Sequence, residues 1–347
     1  MNKRLKEIDI VRGLTIFLVV LGHSGFNSSS GILPDMLRDF RMPLFFIVSG
    51  YLFSTSKYLN DGNKLINDKF RSLIIPYISF AVVGSIIWYF SLIHNDKSIN
   101  LFEPLIRIWE GKAIKNPPIW FLLVLFFSFI IFKIILSLTK KHSFFIQLVS
   151  FVLIGYLGYF ISKLTKLPMS FDIALVAVFF MFIGLKLKEK KILFNHKSMI
   201  FLSFISIFLF FISSYFNIPG DMNNRIYGSL LLFYTAGISG SILTLFLTKY
   251  ILSRSNVIYY LFSYLGRESI IILGFHFSIG IYLIRYFEKS QDFSLSYIST
   301  TIISISLSLG LGVIINRIPL LKFLFKGIPL KRNDLKNNQK VTFELKN

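Results

Sequence analysis

The stretch DIVRGLTIFLVVLGHSG, residues 9 to 25, decides the class of this chain. From Gly13 to Gly22 it is apolar or small at every position, the pattern of a membrane-crossing helix. A transmembrane β-strand alternates apolar and polar residues over about ten positions. Leu14 to Leu21 does not alternate, so a barrel is excluded. Arg12 and His23 bracket the run. Eleven helical steps of about 100° bring them to within about 20° of one face, and a rise of about 1.5 Å per residue separates them by about 16 Å along the axis.

The whole chain agrees with its opening helix. Of 347 residues, 54% are hydrophobic and 16% charged, with 40 Phe against 17 acidic residues, and the mean hydropathy is +0.65. A soluble protein carries about a quarter charged residues. The expected fold class is an all-α polytopic membrane protein, with about ten helices in one bundle. Hydropathy places the spans near 10–26, 40–56, 73–93, 119–138, 144–162, 171–187, 198–216, 228–249, 268–287 and 295–315.

An even number of spans puts both termini on one side. With that side cytoplasmic, 25 Lys and Arg lie inside and 11 outside, so the bias favours both termini in the cytoplasm. A net charge of +21 is then a topology signal, and no basic domain or RNA motif points to nucleic acid. Lys3, Arg4 and Lys6 before an apolar run imitate a signal peptide, but no small-residue cleavage site follows, which predicts a retained first helix. The expected organisation is a membrane-embedded domain over 1–320 and a basic, polar cytoplasmic tail over 321–347. The longest loop, residues 94 to 118, is too short for an enzymatic domain, which leaves the chemistry to the bundle. There is no cysteine, hence no thiolate metal site, and the five histidines have no metal-ligand spacing. No metal is expected.

Ionisable residues on an interior stripe are costly and usually mark a site or a pathway. Arg12 is alternatively a cytoplasmic anchor near Asp9, and His23 a histidine at the outer interface. The segment RMPLFFIVSGYLF, residues 41 to 53, contains Arg41 and the Ser49-Gly50 pair, whose small size permits close helix approach. KLINDKFRSLIIPY, residues 64 to 77, sets Lys64, Lys69 and Arg71 ahead of Pro76. These cations either bind donor phosphates or only enforce topology. In LGRESIIILGFHFSIG, residues 265 to 280, His276 is either a satisfied polar residue between helices or part of a cavity. Trp120, after Pro117-Pro118, and Asp172, at the mouth of the sixth span, are further candidates. There is no phosphate-binding P-loop, dinucleotide fingerprint or zincin motif.

In sequence, these segments resemble the acyltransferase-3 family of integral-membrane O-acyltransferases, and within it the fucose 4-O-acetylase-like branch. The resemblance runs from about Ile8 to Ile315. It rests on the R-x10-H pair Arg12/His23, MPLFFIVSGYLF, the basic approach to SLIIPY, PPIWFLLVLFF, PMSFDIALVAVFFMFIGLKL and LGRESIIILGFH.

The resemblance implies a ten-helix bundle that takes an acyl group, usually acetyl from acetyl-CoA as co-substrate, at the cytoplasmic side. It delivers that group to a hydroxyl of a carbohydrate or glycolipid outside. Membrane lipid is the remaining partner, and the expected location is a bacterial cytoplasmic membrane. Arg12 and His23 match the family's functional pair. Lys69 and Arg71 would bind the donor, although the family's R-x-x-R spacing is loosened here. Arg41, Ser49, Trp120, Asp172 and His276 would contact substrate. Many relatives carry an extra extracellular catalytic domain, and this chain has no length for one. The rival class is a transporter or flippase for a lipid-linked or anionic solute, though the half-to-half repeat of interrupted helices typical of transporters is missing.

Overall fold

The computed structural model describes residues 6–28, 31–94, 100, 102–291 and 294–330. Lys3, Arg4, Lys97 and the tail from residue 331 lie outside them. The principal helices are α1 (Lys6–His23), α2 (Ile32–Leu52), α3 (Gly62–Ile93), α4 (Pro117–Thr139), α5 (Phe144–Leu164), α6 (Phe171–Glu189), α7 (His196–Phe216), α8 (Leu230–Tyr250), α9 (Asn256–Arg267), α10 (Ser269–Gln291), α11 (Tyr297–Arg317) and α12 (Pro319–Lys326). No strand occurs among the described residues beyond an isolated bridge between Asp221 and Ile226.

Eight of these helices are long and apolar enough to cross a membrane. The two remaining expected spans are α1 and α2, which have 18 and 21 residues but carry charges along their length, among them Asp9, Arg12, Asp39 and Arg41. Both are largely buried inside the bundle. An apolar environment tolerates charge only where protein surrounds it. The boundaries shift for the same reason: α2 begins at Ile32 rather than near residue 40, because Asp35, Arg38 and Asp39 are helical despite their polarity. Likewise α3 begins at Gly62, ahead of its apolar run.

Two close crossings fix the centre. At Gly13 of α1 an added Cβ would lie 1.9 Å from the Phe262 carbonyl oxygen of α9, and at Gly266 of α9 one would lie 2.1 Å from the Asp9 carbonyl oxygen. The crossing of α2 and α6 is equally reciprocal, since Gly50 meets the Met181 carbonyl oxygen and Gly184 that of Ile47, both at 1.9 Å. Only glycine permits such backbone contact. These crossings clamp the helices that carry Arg12 and Arg41.

Two helices contain π-helical turns, over Phe70–Ile74 in α3 and His276–Ile281 in α10. In α3, Pro76 has no N–H for the Ser72 carbonyl, and the register shift just before it accommodates the lost bond. In α10 the loosened ladder is satisfied from the side. Asn116 Nδ2 donates to the Gly274 carbonyl at 2.8 Å, and Ser304 Oγ of α11 to that of His276 at 2.7 Å. Such turns cluster at functional sites, and here each borders a cavity.

Candidate active site

Arg12 and His23 open on different cavities at opposite ends of α1. The first, of about 420 Å³, is lined by Arg12, Ser49, Lys69, Phe121, Ser269 and Lys326, among others. The second, of about 430 Å³, is lined by His23, Arg41, Trp120, Asp221 and Asn223, among others. Lys326 of α12 shares the first cavity with Arg12 in the N-terminal half of α1, so both ends of the described chain lie on that side.

The Arg12 cavity is cationic over an aromatic floor. Arg12 Nη2 donates to Ser269 Oγ at 3.0 Å. The Lys69 ammonium lies 3.8 Å from the centroid of the Phe129 ring, a cation–π contact, and it forms no ion pair among the described residues. Lys326 is compensated by both carboxylate oxygens of Glu268 at 2.9 Å and by Asn316 Oδ1 at 2.9 Å. Arg71 does not line the cavity; it pairs with Asp68 at 3.2 Å, and Lys57 binds the same carboxylate at 2.6 Å. Of the two cations expected at the donor, only Lys69 is therefore presented to the cavity.

At the other end, His23 terminates α1. Fully buried His276 stands beside it, with ring centroids 5.4 Å apart. His276 Nδ1 lies 2.8 Å and 3.0 Å from the carbonyl oxygens of Ile272 and Leu273. Two acceptors at one nitrogen place the proton there. Nε2 is then an acceptor, and among the described residues it has no hydrogen-bond partner. Arg41, also buried, donates from Nη1 to Asn27 Oδ1 at 3.0 Å.

The segment from Gly220 to Asn224 lines the same cavity as His23 and is held by two buried carboxylates. Asp39 of α2 accepts from the Gly220 N–H at 2.7 Å. Asp172 of α6 grips Arg225 through two oxygens, at 2.9 Å and 3.2 Å. The structure thus places Asp172 behind the cavity wall, while Arg41, Trp120 and His23 face the cavity. Asn27, Arg38, Asp221, Asn223 and Asn224 line it too, and sequence reasoning missed all of them. The polar island GDMNNR, residues 220 to 225, was the available signal, because such a cluster between apolar helices has no packing reason to be there.

The wall between the cavities is thin. On α2, Phe45 lines one and Met42 the other; on α10, Leu273 and Phe277 do so; on α4 the neighbours Phe121 and Trp120 do. Three or four residues are about one helical turn, or about 5.4 Å. Phe45 and Phe121, both on the Arg12 side of this layer, pack with ring centroids 5.2 Å apart.

Comparison with known proteins bears on this arrangement. A family model described as an acyltransferase domain, that of acyltransferase 3, matches residues 5–317. No curated protein matches the chain. The matched region takes in α1 to α11 and every lining residue of the two cavities except Lys326, and on this ground the chain belongs to the acyltransferase 3 family and is a multi-pass membrane acyltransferase.

Proposed function

We propose that this protein transfers an acetyl group from cytoplasmic acetyl-CoA to a hydroxyl of a cell-surface carbohydrate or its lipid-linked precursor, in the manner of the fucose 4-O-acetylase-like branch and in a bacterial cytoplasmic membrane. One observation carries the reading: a single helix presents a cation to one cavity and an imidazole to another, with a wall about one helical turn thick between them. The Arg12 cavity is the donor site. Its lysine and arginine suit phosphate groups, and its aromatic and aliphatic walls suit an extended apolar arm. The His23 cavity is the acceptor site, where Trp120 offers a flat apolar face and the amides and carboxylate of Asp221 to Asn224 offer partners for sugar hydroxyls.

In the reaction His23 removes the proton from the acceptor hydroxyl as its oxygen attacks the thioester carbonyl carbon. An imidazole suits that task near neutral pH. His276 orients it. With its Nδ1–H held by carbonyls, its Nε2 lone pair receives an N–H from His23 after a small ring rotation. Two imidazoles joined by one hydrogen bond have centroids roughly 5 Å apart, close to the 5.4 Å of this pair. The other nitrogen of His23 is then left to the acceptor. The charge bias puts the Arg12 cavity on the cytoplasmic side.

The test combines orientation with chemistry. In this cysteine-free chain, Asn224→Cys should react with an impermeant maleimide on intact cells and Ser56→Cys should not. Deleting the gene should remove an O-acetylated glycan. If instead export of a lipid-linked precursor stops while acetylation persists, the protein is a transporter.

A further inference from the structure

The reaction proposed above needs positive charge where the oxyanion forms, and Arg12 is on the wrong side of the wall to supply it. We propose that Arg41 is the oxyanion-stabilising residue, held against the end of α1 by the missing side chain of Gly22. The proposal rests on the acyl-transfer reading.

Three observations support it. Arg41 is 8% exposed, yet it has no carboxylate within ion-pair distance among the described residues; its one hydrogen bond is to the Asn27 amide oxygen. Asp221 of the same cavity attracts Arg41 only from beyond ion-pair distance, and a buried guanidinium so weakly compensated is costly unless a ligand or a transition state brings negative charge to it. Arg38 in the same cavity differs, because Asp35 neutralises it at 3.1 Å. Second, the guanidinium lies over the residue next to His23. A Cβ at Gly22 would fall 1.8 Å from Arg41 Nη1 and 2.7 Å from the guanidinium carbon. Any larger residue there would displace the guanidinium from this position. Third, Arg41 and His23 line the same cavity.

The step balances with these two groups. The acceptor hydroxyl oxygen bonds to the thioester carbonyl carbon, its proton passes to His23, and the carbonyl electron pair moves onto oxygen beside the Arg41 N–H donors. Collapse of the tetrahedral intermediate breaks the carbon–sulfur bond, and the departing thiolate takes the proton from the imidazolium. Ester and free thiol result. Preorganised donors aimed at an oxyanion stabilise the transition state more than the ground state.

The experiment uses permeabilised membranes containing the full chain, radiolabelled acetyl-CoA as donor, and glycan purified from the deletion strain as acceptor, each varied in concentration. Arg41→Gln should lower kcat about 10²- to 10³-fold, with both KM values within about threefold of wild type. Arg41→Lys should recover part of the loss. Gly22→Ala, which leaves Arg41 in the chain but displaces it, should lower kcat in the same direction. Added guanidinium chloride should restore activity to Arg41→Ala where sodium chloride does not, a response that a purely structural arginine would not give.

A raised acceptor KM with kcat preserved overturns the proposal and makes Arg41 a ground-state contact for an acidic acceptor. Unchanged kinetics in Arg41→Gln and Gly22→Ala overturn it as well. If those variants are active while His23→Ala is not, the acyl-transfer reading stands and only this assignment falls. No transfer by wild type sinks the acyl-transfer reading itself.

Discussion

The two cavities flanking α1 are nearly equal in volume and opposite in construction. Around Arg12 the lining comes mostly from helix side chains, with Lys69 over the ring of Phe129 and Phe121 beside it, and only Phe53 and Ser54 from a connection. Around His23 the floor is a loop, from Gly220 to Asn224, held in place by Asp39 and by the Asp172–Arg225 pair. A helix-walled pocket suits a substrate that is the same every time. A loop-floored pocket can change its contacts without disturbing the bundle. The difference fits a constant donor at one end and a variable acceptor at the other, and each contrast can be attacked separately.

The strongest attack is on His23. His23→Ala should reduce acetyl transfer by about two to four orders of magnitude, while binding of donor at the Arg12 cavity and abundance in the membrane stay near wild type. Quantifying the acetylated glycan and the bound radiolabelled donor in the same membranes decides it. Full transfer by this variant breaks the assignment of the chemistry to the second cavity.

The converse attack is on the Arg12 cavity. Lys69→Gln should raise the donor KM about tenfold or more and leave the acceptor KM unchanged, since Lys69 faces that cavity with no anionic partner among the described residues. Arg71→Gln should do much less, because Arg71 pairs with Asp68 outside the lining. Equal effects of the two variants would mean that charge near the membrane surface matters, rather than contact with the donor.

This contrast between neighbouring cations also marks how far the sequence could be read. Length and apolarity identify the crossing helices, and a spacing of eleven residues puts Arg12 and His23 on one stripe. The early start of α2 and the amphipathic α9 and α12 escape a hydropathy reading, because their apolar residues cover one face only. Side-chain direction escapes it too: Lys69 and Arg71 both read as donor cations in the sequence, but residues two apart on a helix point about 200° apart, so the cavity receives one of them and not the other. Pairings such as Asp172 with Arg225 join residues 53 positions apart and leave no local trace.

That pair gives a prediction of intermediate size. Asp172→Asn keeps the volume and some hydrogen bonding but removes the charge that holds Arg225, whose backbone φ of 60° is already unfavourable for a residue with a side chain. The loop floor should loosen, raising the acceptor KM several-fold with the donor KM unchanged. Arg225→Ala leaves a buried carboxylate alone, at a cost of about 3–5 kcal/mol, and should lower the amount of folded protein in the membrane. Isothermal kinetics with the two substrates varied in turn separate these outcomes. A donor effect from Asp172→Asn would show that the two cavities are not independent.

The smallest expected effect tests the wall itself. Phe121 lines the Arg12 cavity, its ring centroid is 5.2 Å from that of Phe46 and 6.3 Å from that of Trp120, which lines the other cavity. An acyl group that passes between the cavities at this cluster meets its bulk, which then limits the group's length. Phe121→Leu keeps an apolar side chain and most of the packing, avoiding the roughly 3–5 kcal/mol that complete truncation of a buried Phe costs. It should shift the ratio of kcat/KM for propionyl over acetyl thioester upward by a few-fold, the size expected when one methylene gains room in an apolar pocket. Acetyl transfer itself should change little. Donor competition in a single reaction measures the ratio directly and cancels differences in protein amount. A ratio unmoved by both Phe121→Leu and Phe45→Leu means that the acyl group takes another route between the cavities.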